Sequence, residues 1–216
     1  MTFYIRMRMD RKGRGASQYA SVWFKMEQAE TTRRRRLGVQ DWLLAGYRAL
    51  VRQGPPGLRA EALARDLGTT KGSFYWHFAD VGAFRAALLT YWVTRAYNDV
   101  LAAVEAETTP AARLHLLAAL AVGYRDPDYG GAALEPALRA WAREDAAVAV
   151  AVADMDARRL KYVTALCLAC GRPDPTLPGL IYAAITGYTA FDAATISVSD
   201  AQAGMRALLH LAGVPG

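Results

Sequence analysis

Cysteine is scarce in this chain: only Cys167 and Cys170 occur in 216 residues. A lone Cys-x-x-Cys can serve redox chemistry or supply half of a zinc site, but no second Cys or His pair stands by to complete one. The setting Leu166-Cys167-Leu168-Ala169-Cys170 reads instead as packed helix, where a thiol behaves as a small apolar group. β-Branched alternation is also scarce, which removes the main signal for strands. No apolar run reaches the ~20 residues that cross a bilayer, and the basic N-terminus lacks the long apolar core of a secretory signal. Catalytic motifs are missing too: there is no Gly-rich phosphate loop, no His-Glu-x-x-His and no carboxylate pair at suggestive spacing. The expectation is a cytoplasmic protein outside the membrane, not an enzyme, with neither cofactor nor metal.

What is present is Ala, Leu and charge. Apolar residues make up 53% and charged ones 21%, the balance of a folded chain. The dominance of Ala and Leu points to an all-α fold, and the length allows one or two domains around a sizeable core. The net charge of +6 conceals an asymmetry: residues 1–85 hold 16 Lys/Arg against 7 Asp/Glu, and residues 86–216 hold 10 against 13. A basic first part on a mildly acidic remainder suggests a polyanionic partner for the first part alone.

Residues 1–36 lack sustained periodicity and carry Arg6, Arg8, Arg11, Lys12, Arg14 and the run Arg33 to Arg36, so a mostly disordered basic arm is expected. Met26 opens Met-Glu-Gln-Ala-Glu-Thr-Thr, which has the look of a native start. Residues 1–25 are therefore read as an upstream extension from a misassigned start codon. N-terminal sequencing of protein from its own host tests this, and a chain beginning at Met1 or Thr2 would sink it.

Helical periodicity begins at Val39 and runs to Gln53, with Trp42, Leu43, Gly46, Ala49 and Leu50 on one face. Gly54-Pro55-Pro56-Gly57 stops it. A second helix spans Arg59 to Leu67 and buries Leu63 and Leu67. Gly68 supplies the turn, Thr70 caps a third helix over Lys71 to Phe78, and Asp80 caps a long fourth from Val81 to Glu105. Beyond Pro110 five more helices are expected: Ala111–Tyr124, Ala133–Arg143, Ala146–Cys170, Leu177–Ser197 and Ala201–Leu211.

Residues 58–78 carry the chemistry. A short helix, a Gly turn and a second short helix crowded with phosphate-seeking side chains form a helix-turn-helix, whose second helix can enter the DNA major groove. Thr69, Thr70 and Ser73, with the N–H groups at the helix start, can bond phosphate oxygens. Lys71 can reach a phosphate or a guanine edge, and Gly72 allows close approach to the groove wall. Tyr75 and His77 offer polar tips where the second backbone wall would lie, while Phe74 and Phe78 face inward. Tyr75, Trp76 and His77 have an alternative reading as ordinary core. Arg35 and Arg36 can follow the backbone or the minor groove, or remain a solvated charge run. Arg59 is placed to reach a phosphate.

The sequence Leu63-Ala64, Gly68, then Thr70-Lys71-Gly72-Ser73-Phe74-Tyr75-Trp76-His77-Phe78 resembles the TetR family of bacterial transcriptional regulators. The close resemblance covers residues 37–90; the remainder matches in helix count, length and order. It implies a DNA-binding domain over 37–85 and a helical effector-binding and dimerisation domain over 86–216. The implied function is a sequence-specific regulator, most often a repressor released by a small apolar or aromatic effector. Two departures stand out. The family commonly places a basic residue after the residue that opens the fourth helix, where this chain has Val81 and Gly82. The usual Thr or Ser at the start of helix two is replaced by Leu58-Arg59.

For the second domain, Trp92, His115, Tyr124, Trp141 and Tyr162 are the candidate effector-binding residues, each with core packing as its alternative. Small residues at Ala183, Ala184, Gly187, Ala190, Ala193 and Ala194 could form half of a four-helix bundle between protomers. The resemblance favours a twofold homodimer on a palindromic operator. Two other functions stay open: a helical interaction protein that binds DNA only non-specifically, and an all-α enzyme using His115 or the Cys167/Cys170 pair.

Overall fold

The structure is a computed structural model that describes residues 37–123, 129–191 and 194–216. All regular elements among them are helical. Helix α1 (Val39–Gln53) starts where the Asp41 carboxylate accepts a hydrogen bond from the Gly38 N–H at 2.8 Å. Its apolar face buries Trp42, Leu43, Gly46, Ala49 and Leu50 as the spacing requires, and Ala45 and Tyr47 as well. Gly54, at φ +67°, and the 3₁₀ turn Pro55–Gly57 end it. After α2 (Ala60–Asp66), Gly68 turns the chain at φ +62°, a left-handed backbone that costs glycine little.

Helix α3 (Lys71–Tyr75) is capped by Thr70, whose hydroxyl accepts from the Ser73 N–H at 3.3 Å. It is shorter than the sequence suggested. The N–H groups of His77 and Phe78 both turn back to the Phe74 carbonyl, at 3.0 and 3.1 Å, which closes the helix before Phe78. Asp80 caps α4 (Val81–Val93) at 2.7 Å from the Ala83 N–H.

The expected long fourth helix is not uniform. It passes through a π-helical stretch, Thr94–Asp99, before continuing as α5 (Val100–Glu105). Wide turns of this kind free carbonyls from the usual ladder. Here the Ala96 carbonyl accepts from the Arg159 guanidinium at 3.3 Å.

The remaining helices are α6 (Pro110–Gly123), α7 (Leu134–Trp141), α8 (Ala146–Ala169), α9 (Leu177–Ala190) and α10 (Val198–Leu211). Helix α9 ends seven residues before the expected Ser197, and that serine instead caps α10 by accepting from the Asp200 N–H at 3.2 Å. Helix α10 packs chiefly on α6, α9 on α8, and α7 lies against both α1 and α8.

Two apolar cores result. The first gathers Trp42, Tyr47, Phe74, Phe78 and Phe84, then continues past residue 85 through Trp92, Leu138, Trp141 and Met155. Its aromatic centre is tight: the Phe74 ring lies 5.4 Å from Trp42, 5.1 Å from Phe78 and 5.3 Å from Phe84. The second core holds Leu114, Val163, Cys167, Ile181, Met205 and Leu209. Cys167 sits in this core, and burial pushes its thiol above the usual range. No described helix is long and apolar enough to cross a membrane.

Candidate nucleic-acid interface and cavity

The outer surface of the helix-turn-helix is built from the inside. Phe74 and Phe78 are buried, which fixes the roll of α3 about its axis and turns its other side outward. That outer side carries Thr70, Lys71, Gly72, Tyr75 and Trp76, all exposed, with Ser73, Thr69 and His77 half-buried at its edges. Trp76 is 88% exposed, an extreme value for an indole with so much apolar area. The His77 ring rests 6.4 Å from that of Trp42, on the border between core and surface. Arg59 stands exposed at the N-cap of α2. Arg35 and Arg36 lie outside the described residues.

Lys71 is not free. Its ammonium pairs with the Glu61 carboxylate of α2 and sits 5.8 Å from the Tyr75 ring centroid. The hydrogen bond from Lys71 holds the Glu61 carboxyl below its ordinary range and raises the lysine in return. Both side chains are more than half exposed, so the pair is weak and screened by salt. A phosphate can take the lysine from it.

Val81 is half-buried and Gly82 exposed, so the start of α4 offers no cation. Arg85, one turn later, does not substitute. Its guanidinium lies 5.7 Å from the Trp141 ring, half-buried against α7.

A second feature lies away from this surface. A cavity of about 140 Å³ opens between α4 and its π-helical continuation, α5, α6, α7, α8 and α9. Trp92 and Tyr162 stand on its wall, as do Tyr97, Tyr129 and Tyr182. His115 and Trp141 do not. His115 donates to the Pro215 carbonyl at 3.0 Å, and Trp141 is buried in the first core. Tyr124 lies outside the described residues.

The sequence reading also overlooked the charges of this wall. Arg159 donates to Glu135 at 2.6 Å and lies 5.9 Å from the Trp92 ring. Arg139 grips Asp156 with two hydrogen bonds, at 2.7 and 2.8 Å, and the Tyr182 hydroxyl donates to the same carboxylate at 2.6 Å. Burial alone would push the Asp156 carboxyl up, but these hydrogen bonds outweigh it and hold the group below its ordinary value. The signal was present in the spacing. Glu135 and Arg139 stand four apart, Asp156 and Arg159 three apart, so each pair shares a face of an Ala-rich helix.

The cavity wall is in contact with α1 and α4. Tyr129, on the wall, meets Tyr47 of α1 edge-on at 4.7 Å between ring centroids. The Tyr47 hydroxyl donates to the Leu88 carbonyl of α4 at 2.6 Å, and the Tyr129 hydroxyl to the Trp92 carbonyl at 3.3 Å.

No protein-family model matches the chain, and no curated protein matches it. Among solved structures, it is similar to a protein from Rhodococcus sp. assigned to the TetR family of transcriptional regulators. The two share 20% identity with a TM-score of 0.64, over 81% of this chain and 97% of the other. At that identity the likeness establishes the fold: a helix-turn-helix head joined to a helical bundle.

Proposed function

We propose that this chain is a TetR-family transcriptional regulator that reads DNA through α3 and releases it when a small apolar or aromatic effector fills the cavity. In this reading it is a cytoplasmic homodimer on a palindromic operator and acts as a repressor. Lys71 and Ser73 contact base edges or nearby phosphates, Thr69, Thr70, Tyr75, Trp76 and His77 hold the backbone, and Arg59, Arg35 and Arg36 add charge. The observation that carries the reading is the division of α3 into a fully buried Phe74 side and an outer side that presents hydroxyls, a cation and an uncovered indole. Exposed apolar groups at Leu180 and Phe191 of the α9 region, beside the small residues of that helix, support pairing of two protomers.

Fluorescence anisotropy with the DNA upstream of the protein's own gene, at two salt concentrations, tests it. Specific binding that weakens steeply with salt is expected. Tyr75→Ala should weaken binding to all sequences, and Lys71→Ala should also change the preference among them. Unchanged affinity of Tyr75→Ala at physiological salt would refute the orientation of α3.

One observation favours a second reading, an interaction protein that keeps the fold and binds DNA without sequence preference. The start of α4 has no cation, and Arg85 is turned into α7. Weak binding, equal on operator and scrambled DNA, is the outcome that selects it.

A further inference from the structure

We infer that the cavity takes an uncharged aromatic molecule bearing a hydrogen-bond acceptor, such as an aromatic ketone, ester or lactone. This deepens the effector reading above and rests on it. Tyr97, Tyr162 and Tyr182 are partly exposed on the wall, and Trp92 and Tyr129 border it almost wholly buried. A volume of about 140 Å³ compares with the roughly 150 Å³ void that accepts benzene, which sets the scale at a small aromatic molecule.

Charge then narrows the class. Three guanidinium groups reach this wall, those of Arg95, Arg139 and Arg159. Each already faces a carboxylate of this chain: Asp99 at 3.2 Å, Asp156 at 2.7 Å and Glu135 at 2.6 Å. Over these three ion pairs formal charge sums to zero, with Glu135 on the wall itself and Asp99 and Asp156 outside the lining. An anionic ligand competes with Glu135 or Asp156 for an arginine that is already paired. A cationic ligand meets three arginines before any free carboxylate. Either exchange replaces a well-formed pair with a poorer one. A neutral ring asks for no such exchange.

Hydrogen bonding narrows it again. Most hydroxyls here are committed. Tyr182 donates to Asp156, Tyr129 to the Trp92 carbonyl, Thr186 to the Tyr182 carbonyl and Thr189 to the Thr186 carbonyl. The Tyr162 hydroxyl is buried with no hydrogen-bond partner. Buried polar groups are rarely left so, and a ligand acceptor that reaches this donor would satisfy it. Ketone, ester and lactone oxygens can accept that bond without bringing a charge.

Isothermal titration calorimetry of the whole protein without DNA tests the inference. The probes are coumarin and 1-tetralone (neutral acceptors), naphthalene (no acceptor), 2-naphthoate (anion) and 1-naphthylmethylammonium (cation). The neutral acceptors should bind about fivefold to tenfold more tightly than naphthalene and at least tenfold more tightly than the two charged probes. Tyr162→Phe should weaken coumarin by about fivefold to tenfold, the worth of one hydrogen bond, and leave naphthalene unchanged. Glu135→Gln should shift the ranking toward 2-naphthoate, because Arg159 then lacks its carboxylate. Circular dichroism checks that the variants fold, and Tyr162→Phe keeps the test decisive if Glu135→Gln does not. Tighter binding of the anion or cation by the wild type, or an unchanged coumarin affinity in Tyr162→Phe, overturns the class while leaving an effector site in place. No heat from any probe overturns both. Since no DNA is present, failure to find an operator does not bear on the result.

Discussion

Gly46 lets α1 approach α4 closely, and Gly46→Ala tests whether these two helices are packed as described. Two effects oppose each other. Alanine in a helix interior is favoured over glycine by about 0.8–1.0 kcal/mol. Against this, a Cβ at position 46 would stand 2.6 Å from Phe84 Cζ and 2.9 Å from Leu88 Cδ1. Carbon atoms in contact prefer about 3.5–4.0 Å, so ring and methyl must each retreat by roughly 1 Å.

Neither has room. Phe84 and Leu88 are fully buried, Phe84 is hemmed in by Phe74 and Phe78, and the Leu88 carbonyl is tied to Tyr47 at 2.6 Å. Overpacking of this kind costs about 1–3 kcal/mol, and two immobile neighbours place it near the upper end. The net expectation is a loss of about 2 kcal/mol, which lowers Tm by roughly 4–8 °C for a chain of this size. Thermal and guanidinium denaturation followed by circular dichroism reads it. Gly179→Ala is the control, since a Cβ there meets nothing within 4 Å and should leave stability unchanged or slightly raised. An unchanged or higher Tm for Gly46→Ala would refute the packing of α1 on α4.

Three further outcomes follow from particular side chains. Trp76→Ala should leave stability within about 0.5 kcal/mol, because the indole touches little, yet weaken operator binding roughly tenfold, or about 1.4 kcal/mol; equal affinities in anisotropy would remove Trp76 from the interface. Asp156 titrates below its ordinary value in the fold, so its pairing with Arg139 stabilises the protein above that value and is lost as pH falls through the folded one. Wild type should therefore exceed Asp156→Asn by about 1–2 kcal/mol from neutral pH down to about 5, and the gap should shrink below about 4; a gap in melting temperature that is constant to pH 3 would contradict this. Gly187→Arg adds a side chain where this protomer offers no neighbour within 4 Å, so folding should survive while light scattering shows a shift from dimer to monomer; a persistent dimer would place the interface elsewhere.

Local chemistry explains what was legible in the sequence. The bounds of α1, the caps at Thr70 and Asp80 and the left-handed Gly68 depend on residues within four positions of one another, so spacing reveals them. The inward turn of Phe74 and Phe78 followed from the same local pattern. The π-helical stretch was hidden because Ala96 finds its partner in Arg159, 63 residues away. The cavity was partly hidden for the same reason. Aromatic composition brought Trp92 and Tyr162 into view, but Trp92 and Trp141 are both buried in the first core and local pattern does not tell which of them borders the cavity. His115 likewise looked available until the Pro215 carbonyl engaged it.

Selection of the purified protein on a random double-stranded DNA library, followed by sequencing, tests whether α3 reads DNA sequence. An enriched twofold-symmetric motif is expected, with half-sites about one helical turn or a multiple of it apart, and it should disappear when Lys71→Ala and Tyr75→Ala are combined. Recovery of DNA with no enriched motif, or one the double variant enriches equally, would contradict it.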